Sequence, residues 1–181
     1  MTSLLSSIEP LRVRLRRAQF IFGLGVLSMV LGSIASAGLS LRLGLRVAEL
    51  PQVLRWAVAI GVGGLWRLSF LPLLCYGAAR VLALRPRATA VGAALSGEAF
   101  LLALDLTRAG VAGLWTSAPL VLGRLGTLAL GMWLSERAVQ AGRLAAEAQE
   151  RAAQAKAQAT QAEYAEFLAR AEGAPAEDVR P

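Results

Sequence analysis

Five charged side chains interrupt stretches that are otherwise apolar: Arg67, Glu98, Asp105, Arg108 and Arg124. A lone charge at the centre of a bilayer costs about 2.5–3.5 kcal/mol on insertion scales, so each should find an opposite charge or a polar cavity. Glu98 and Asp105 lie two helical turns apart and so share one helix face. One chemistry that fits is an ion or proton path. The other is a structural set of charge pairs that fixes helix packing or meets charges of a partner subunit. Asp105 has two candidate partners, Arg108 on its own helix and Arg124 on the next apolar block. Three arginines against two acids leave one cation over, which points to a partner or a lipid phosphate.

Other chemistries fall away on residue types. The chain has no histidine and one cysteine, Cys75, which excludes an internal disulfide framework and His-based metal or haem ligation. No cofactor or metal site is expected. Ser96-Gly97 has no histidine to act as a base, so an intramembrane serine hydrolase is not supported. Gly23-Leu24-Gly25 and Gly61-Val62-Gly63-Gly64 resemble fragments of phosphate loops. They lie inside apolar runs and no Gly-Lys-Ser/Thr follows, so they are assigned to helix packing. The single lysine, Lys156, is remote from these groups. An enzyme acting on lipid would need Glu98 or Asp105 as its acid or base, and no second constellation supports it. Cys75 reads as a small buried apolar residue.

Small residues form two ridges. Ser28, Gly32, Ser36 and Ser40 step by four, as do Gly123, Thr127, Gly131 and Ser135. Such ridges let helices approach closely, within one chain or between chains.

The elements that must position these residues are apolar helices. The chain is 56% hydrophobic and 17% charged, where a soluble domain is nearer a quarter charged. Residues 18–41 carry no charge, and 24 helical residues reach about 36 Å, enough for a hydrocarbon core of about 30 Å. Further spans are expected over 56–79, 88–108 and 117–135. The last two also fit a buried hairpin against other subunits. Trp56 and Tyr76, and Trp115 and Trp133, stand near span ends, where aromatic belts form. Pro72 is expected to kink the second span. Arg67 lies 12 residues from Ala79 and Glu98 lies 10 from Ala88, about 18 and 15 Å, so antiparallel neighbours bring them level. Between the first two spans, the spacing of Leu43, Val47, Leu50 and Leu54 predicts a short surface helix over 42–55, with Pro51 as the first residue of the next span. The fold class is an all-α integral membrane protein of about four transmembrane helices with a long Ala-rich C-terminal helix.

Residues 1–17 combine Leu4, Leu5, Ile8, Leu11 and Leu15 with Arg12, Arg14, Arg16 and Arg17. They read as a basic amphipathic anchor or as an organellar targeting segment. Residues 136–172 turn to Ala, Gln, Glu and Arg. Alanines at 138, 141, 145, 148, 152, 155, 159, 162 and 169 form a seam at coiled-coil spacing. A continuous helix of that length spans about 55 Å and ends at Gly173 and Pro175. Tyr164, Phe167 and Leu168 form its one bulky apolar cluster and suggest docking. Residues 173–181 read as a disordered tail.

The formal charge is +7, but it is unevenly spread. Residues 1–135 hold 13 arginines against 4 acids, and 136–181 hold 6 basic residues against 8 acids. The arginines cluster at the ends of apolar blocks without interleaved aromatics, which argues for membrane anchoring and against nucleic acid. With the N-terminus inside, inner segments carry ten arginines and outer ones three, so both termini are expected inside. A bacterial or a mitochondrial inner membrane fits. The expected function is a non-enzymatic accessory or structural subunit, with the lipid bilayer and other membrane subunits, or copies of itself, as partners. The alternative is a small transporter, channel or pore-forming oligomer lined by Arg67, Glu98, Asp105 and Arg124.

Overall fold

The computed structural model describes residues 2–111 and 118–172, and every described element is a helix. Helix α1 is Thr2–Ala48, α2 is Gln52–Gly63, α3 is Leu71–Val81, α4 is Pro86–Ala109 and α5 is Ala118–Glu172. A π turn, Trp66–Phe70, joins α2 to α3. Trp115, Ser117, Gly173, Pro175 and the expected tail over 173–181 lie outside the described residues. So do the side chains of Leu4, Leu5, Ile8 and Leu11.

Proline sets the breaks. No proline lies between Pro10 and Pro51, and α1 runs unbroken for 47 residues. The residue before proline avoids the helical region, so the chain leaves α1 ahead of Pro51 and restarts at Gln52. Pro51 caps α2 from outside as its N-cap, one place ahead of the first helical position predicted for it. Pro86 opens α4, where its missing N–H is harmless. Gly110 ends α4 at φ 60°, a conformation that glycine reaches without steric cost.

Two expectations about these elements are corrected. No separate surface helix covers 42–55: residues 42–48 complete α1 and 52–55 begin α2. Leu43 and Val47 continue the helical period of α1, so nothing ends that helix until Pro51 is near. The expected second span is broken upstream of Pro72. Gln52–Gly63 and Trp66–Val81 meet at 45° across Gly64 and Leu65. The π turn follows, with the Leu71 N–H bonded to the Trp66 carbonyl. Pro72 lacks the N–H that would serve the Leu68 carbonyl, and the widened turn absorbs the missing bond.

Three helices are long and apolar enough to cross a membrane: Arg14–Gly44, Pro86–Ala109 and Ala118–Leu168. Gln52–Gly63 and Trp66–Val81 pass the same test only when taken together, as a broken span or a re-entrant loop.

The chain divides into two compact units, Met1–Arg143 and Leu144–Pro181. In the first, each helix buries one stripe at helical spacing. In α1 it is Leu24, Gly25, Ser28, Met29 and Gly32; in α3 it is Leu71, Cys75 and Ala79. In α5 it is Gly131, Ser135, Val139 and Gly142. Within the bundle, α5 therefore buries this stripe rather than the first alanines of the seam. Cys75 and Val139 are fully buried in the shared core with Trp66 and Leu71. The second unit is helix, with its described side chains between 147 and 168 exposed.

Candidate functional site

Both small-residue ridges close on the bent segment formed by α2 and the π turn. A Cβ on Gly32 would overlap the Cβ and backbone of Trp66. Ser36 Oγ donates to the Val62 carbonyl at 2.7 Å, in the last turn of α2. On α5, Gly123 lies against Ile60, Thr127 against Gly64, and Gly131 against Arg67, whose carbonyl would be 2.7 Å from an added Cβ. Ser28 is fully buried and donates to the Gly25 carbonyl at 2.8 Å. Ser135 is fully buried too, while Ser40 is exposed.

Of the glycine runs assigned to packing, only some positions need glycine. Gly25 and Gly64 are in close contact, with Ala93 and Thr127 respectively. Gly23, Gly61 and Gly63 have open space where a Cβ would stand, which corrects that part of the assignment. Helix α4 meets α1 through Gly97, whose position touches both the Trp66 ring and the Gly25 carbonyl. Ser96 donates to the Ala93 carbonyl at 3.0 Å, a local helix bond with no catalytic partner.

The clasp positions the charges. The π turn lowers the rotation per residue, so the neighbours Trp66 and Arg67 both face inward and are buried. Glu98 receives Arg67 on one side: Nε donates to Oε2 at 3.1 Å and Nη2 to the same oxygen at 2.5 Å. Arg124 Nε donates to the other oxygen, Oε1. Arg67 Nη1 donates to Thr127 Oγ1 at 3.3 Å, and that hydroxyl donates onward to the Arg124 carbonyl at 3.0 Å. Arg67 also lies over the Trp66 ring, 4.9 Å from its centroid. Glu98 of α4 thus ties the π turn to α5, and each of the three side-chain nitrogens of Arg67 makes a hydrogen bond.

Asp105 pairs with Arg124 Nη1 at 3.5 Å. The alternative partner, Arg108, has no ion pair among the described residues. It occupies the last turn of α4, where the helix dipole favours a cation. Asp105 and Arg108 share a helix face, but Arg124 reaches Asp105 from α5 while already bonded to Glu98. Arg108 is therefore the cation that the count left over. Arg67, Glu98, Arg124 and Asp105 form an alternating series with no net charge. Side-chain exposure falls along it, from 35% at Asp105 to 28% at Arg124, 12% at Glu98 and 4% at Arg67. A cleft of about 190 Å³ between α2, α4 and α5 opens onto Arg67, Arg124 and Thr127.

Trp66 is the residue that the sequence reading passed over. It fills the space left by Gly32 and Gly97 and stacks on Arg67, while its Nε1–H has no acceptor among the described residues. A signal existed: it stands in mid-span beside a charge, away from the interfacial belt where tryptophan collects. Tyr164, Phe167 and Leu168 lie on α5 in the second unit, away from the charge series in sequence, and are 67%, 70% and 58% exposed. Among the described residues, no group of three or more His, Cys, Asp or Glu side chains is arranged to hold a metal ion.

Comparison with protein-family models, with curated proteins and with solved structures finds no match for this chain.

Proposed function

We propose that this chain is a four-span membrane protein, both termini on the cytoplasmic or matrix side, serving as a non-enzymatic accessory subunit of a larger membrane assembly. The observation that carries this reading is the cluster of Tyr164, Phe167 and Leu168. These side chains stand at i, i+3 and i+4, share one helix face, and are all well exposed. Over 145–168 the other residues are Ala, Gln, Glu, Arg, Lys and Thr, so the cluster is the one bulky apolar anchor of that stretch. Helix-in-groove recognition uses anchors at this spacing.

The membrane part is supported by the apolar surface of the first unit. Ile34, Leu41, Leu73, Val81 and Leu122 are among many large apolar side chains left exposed. In lipid such a surface costs nothing, whereas in water it would drive association. A structural role for the charges is supported by their internal balance.

The test is the native mass of the protein extracted gently from its own membrane, with identification of whatever accompanies it. A hetero-assembly of fixed stoichiometry is the expected result. A monomer or homo-oligomer overturns the subunit reading.

The second reading, a small transporter or channel, is favoured by the exposure gradient from Asp105 to Arg67 and the cleft beside it. It requires Asp105→Asn and Glu98→Gln to abolish flux in proteoliposomes while insertion and assembly remain intact.

A further inference from the structure

We propose that the inner rim of the bundle carries a headgroup site for an anionic phospholipid, built from Arg87, Arg137 and Gln140 on a frame of Glu136 and Trp133. The site rests on the four-span reading, which places the start of α4 and residues 133–140 of α5 at one membrane face. These five residues line a cleft of about 480 Å³. Trp133, Glu136, Arg137 and Gln140 share one face of α5, and Arg87 stands in the first turn of α4.

Each guanidinium is oriented yet keeps free donors. Arg87 Nε donates to Glu136 Oε1 at 3.1 Å, and its two Nη groups have no partner among the described residues. Arg137 lies over the Trp133 ring at 5.3 Å from the centroid. Stacking uses the face of the guanidinium and leaves its edge N–H groups free. Two guanidinium groups, with Arg87 88% exposed at the mouth, and an amide within one cleft suit a phosphate, which accepts paired hydrogen bonds from arginine. Glu136 cancels one of the two positive charges, so the cleft retains a net attraction for an anion.

A lipid, rather than a free anion, is indicated by what lies along the same faces. Val91 and Leu95 follow Arg87 at i+4 and i+8 on α4 and are exposed. On α5, Leu130 precedes Arg137 by two turns and is exposed, and Gly126 has open space beside it. A headgroup held at the rim would thus have apolar track below it for its acyl chains. Basic pockets between helices on the inner side are where anionic lipids bind.

The full chain is reconstituted in nanodiscs holding equal phosphatidylglycerol and phosphatidylcholine, and the lipid retained on extraction is identified by native mass spectrometry. Phosphatidylglycerol should be retained in preference. The variant R87Q/R137Q should weaken that retention about thirtyfold, the equivalent of two surface arginines at about 1 kcal/mol each. The outer-end variant R42Q/R46Q should leave retention unchanged. Equal retention of both lipids, an undiminished R87Q/R137Q, or an equal loss in R42Q/R46Q overturns the site. Complete displacement of the lipid by soluble glycerophosphate overturns the lipid assignment, as does an acidic polypeptide bound in its place. Alkaline washing of native membranes separates the two levels of failure. A chain released by the wash removes the four-span reading; a chain that stays without lipid preference removes only the headgroup site.

Discussion

Glu98 is gripped from both sides by arginine, and this decides what its removal should do. Glu98→Gln leaves Arg67 and Arg124 facing each other without the carboxylate between them. A loss of about 3–5 kcal/mol is expected, the range for breaking a buried ion pair by deleting one partner. Arg67→Leu combined with Glu98→Leu should cost less than Glu98→Gln alone, because Arg124 keeps Asp105 and no uncompensated charge remains. Unfolding titrations in mixed micelles on the members of the cycle test this ordering. A neutral Glu98→Gln would mean that water already reaches the carboxylate, which favours the transport reading. Counting residues from the span ends was enough to set Arg67 and Glu98 at one depth. Nothing in the spacing could choose between Arg108 and Arg124 for Asp105, because that choice depends on where α5 lies.

At the level of elements, close approach is spent on specific glycines. Gly32→Ala would drive a Cβ into the backbone of Trp66, which cannot move without shifting the π turn. A loss of about 1–3 kcal/mol is expected from such overpacking. Gly38→Ala on the same helix meets nothing within 4 Å and removes backbone freedom, so it should be neutral or stabilising by about 0.5–1 kcal/mol. Thermal unfolding of the two variants side by side separates packing from propensity, and equal effects would refute the clasp. The small-residue ridges were legible at the right spacing. Their target was not, since the same ridge serves a neighbour in the chain or another chain. The π turn was only half legible. Pro72 announces a disturbance, but its position upstream depends on which residues must face inward.

On the scale of the whole chain, the bundle and the far end of α5 should be separable in function. The triple variant Y164A/F167A/L168A is expected to lose co-purifying partners while its thermal midpoint stays within about 1 °C of the parent, as for exposed residues away from the core. Unaltered co-purification would sink the docking role. Topology is a second whole-chain prediction. Ten arginines on one side against three on the other predict that reporters fused after residues 84 and 172 report the inner side. A reporter after residue 50 should read the opposite side. Removing inner arginines at the N-terminus should erode this preference before it disturbs packing.

The amino-acid sequence by itself determined what is local or additive. Apolar run length marked the three helices long enough to cross a membrane and the bent pair over 52–81. Proline positions set most of the breaks, and residue types excluded histidine-based chemistry. Helical period put Ser28, Gly32 and Ser36 on one ridge and Glu98 and Asp105 on one face. Tertiary structure alone decided what depends on how distant segments meet. It turned both ridges onto one bent segment and made Trp66 the filling between Gly32 and Gly97. It gave Asp105 to Arg124 and left Arg108 at a helix end. It also carried the buried stripe of α5 on to Gly142, where a change from apolar to alanine-rich sequence suggests that the bundle stops at 135. Periodicity names the face a helix buries. Only the packed neighbours determine what that face touches.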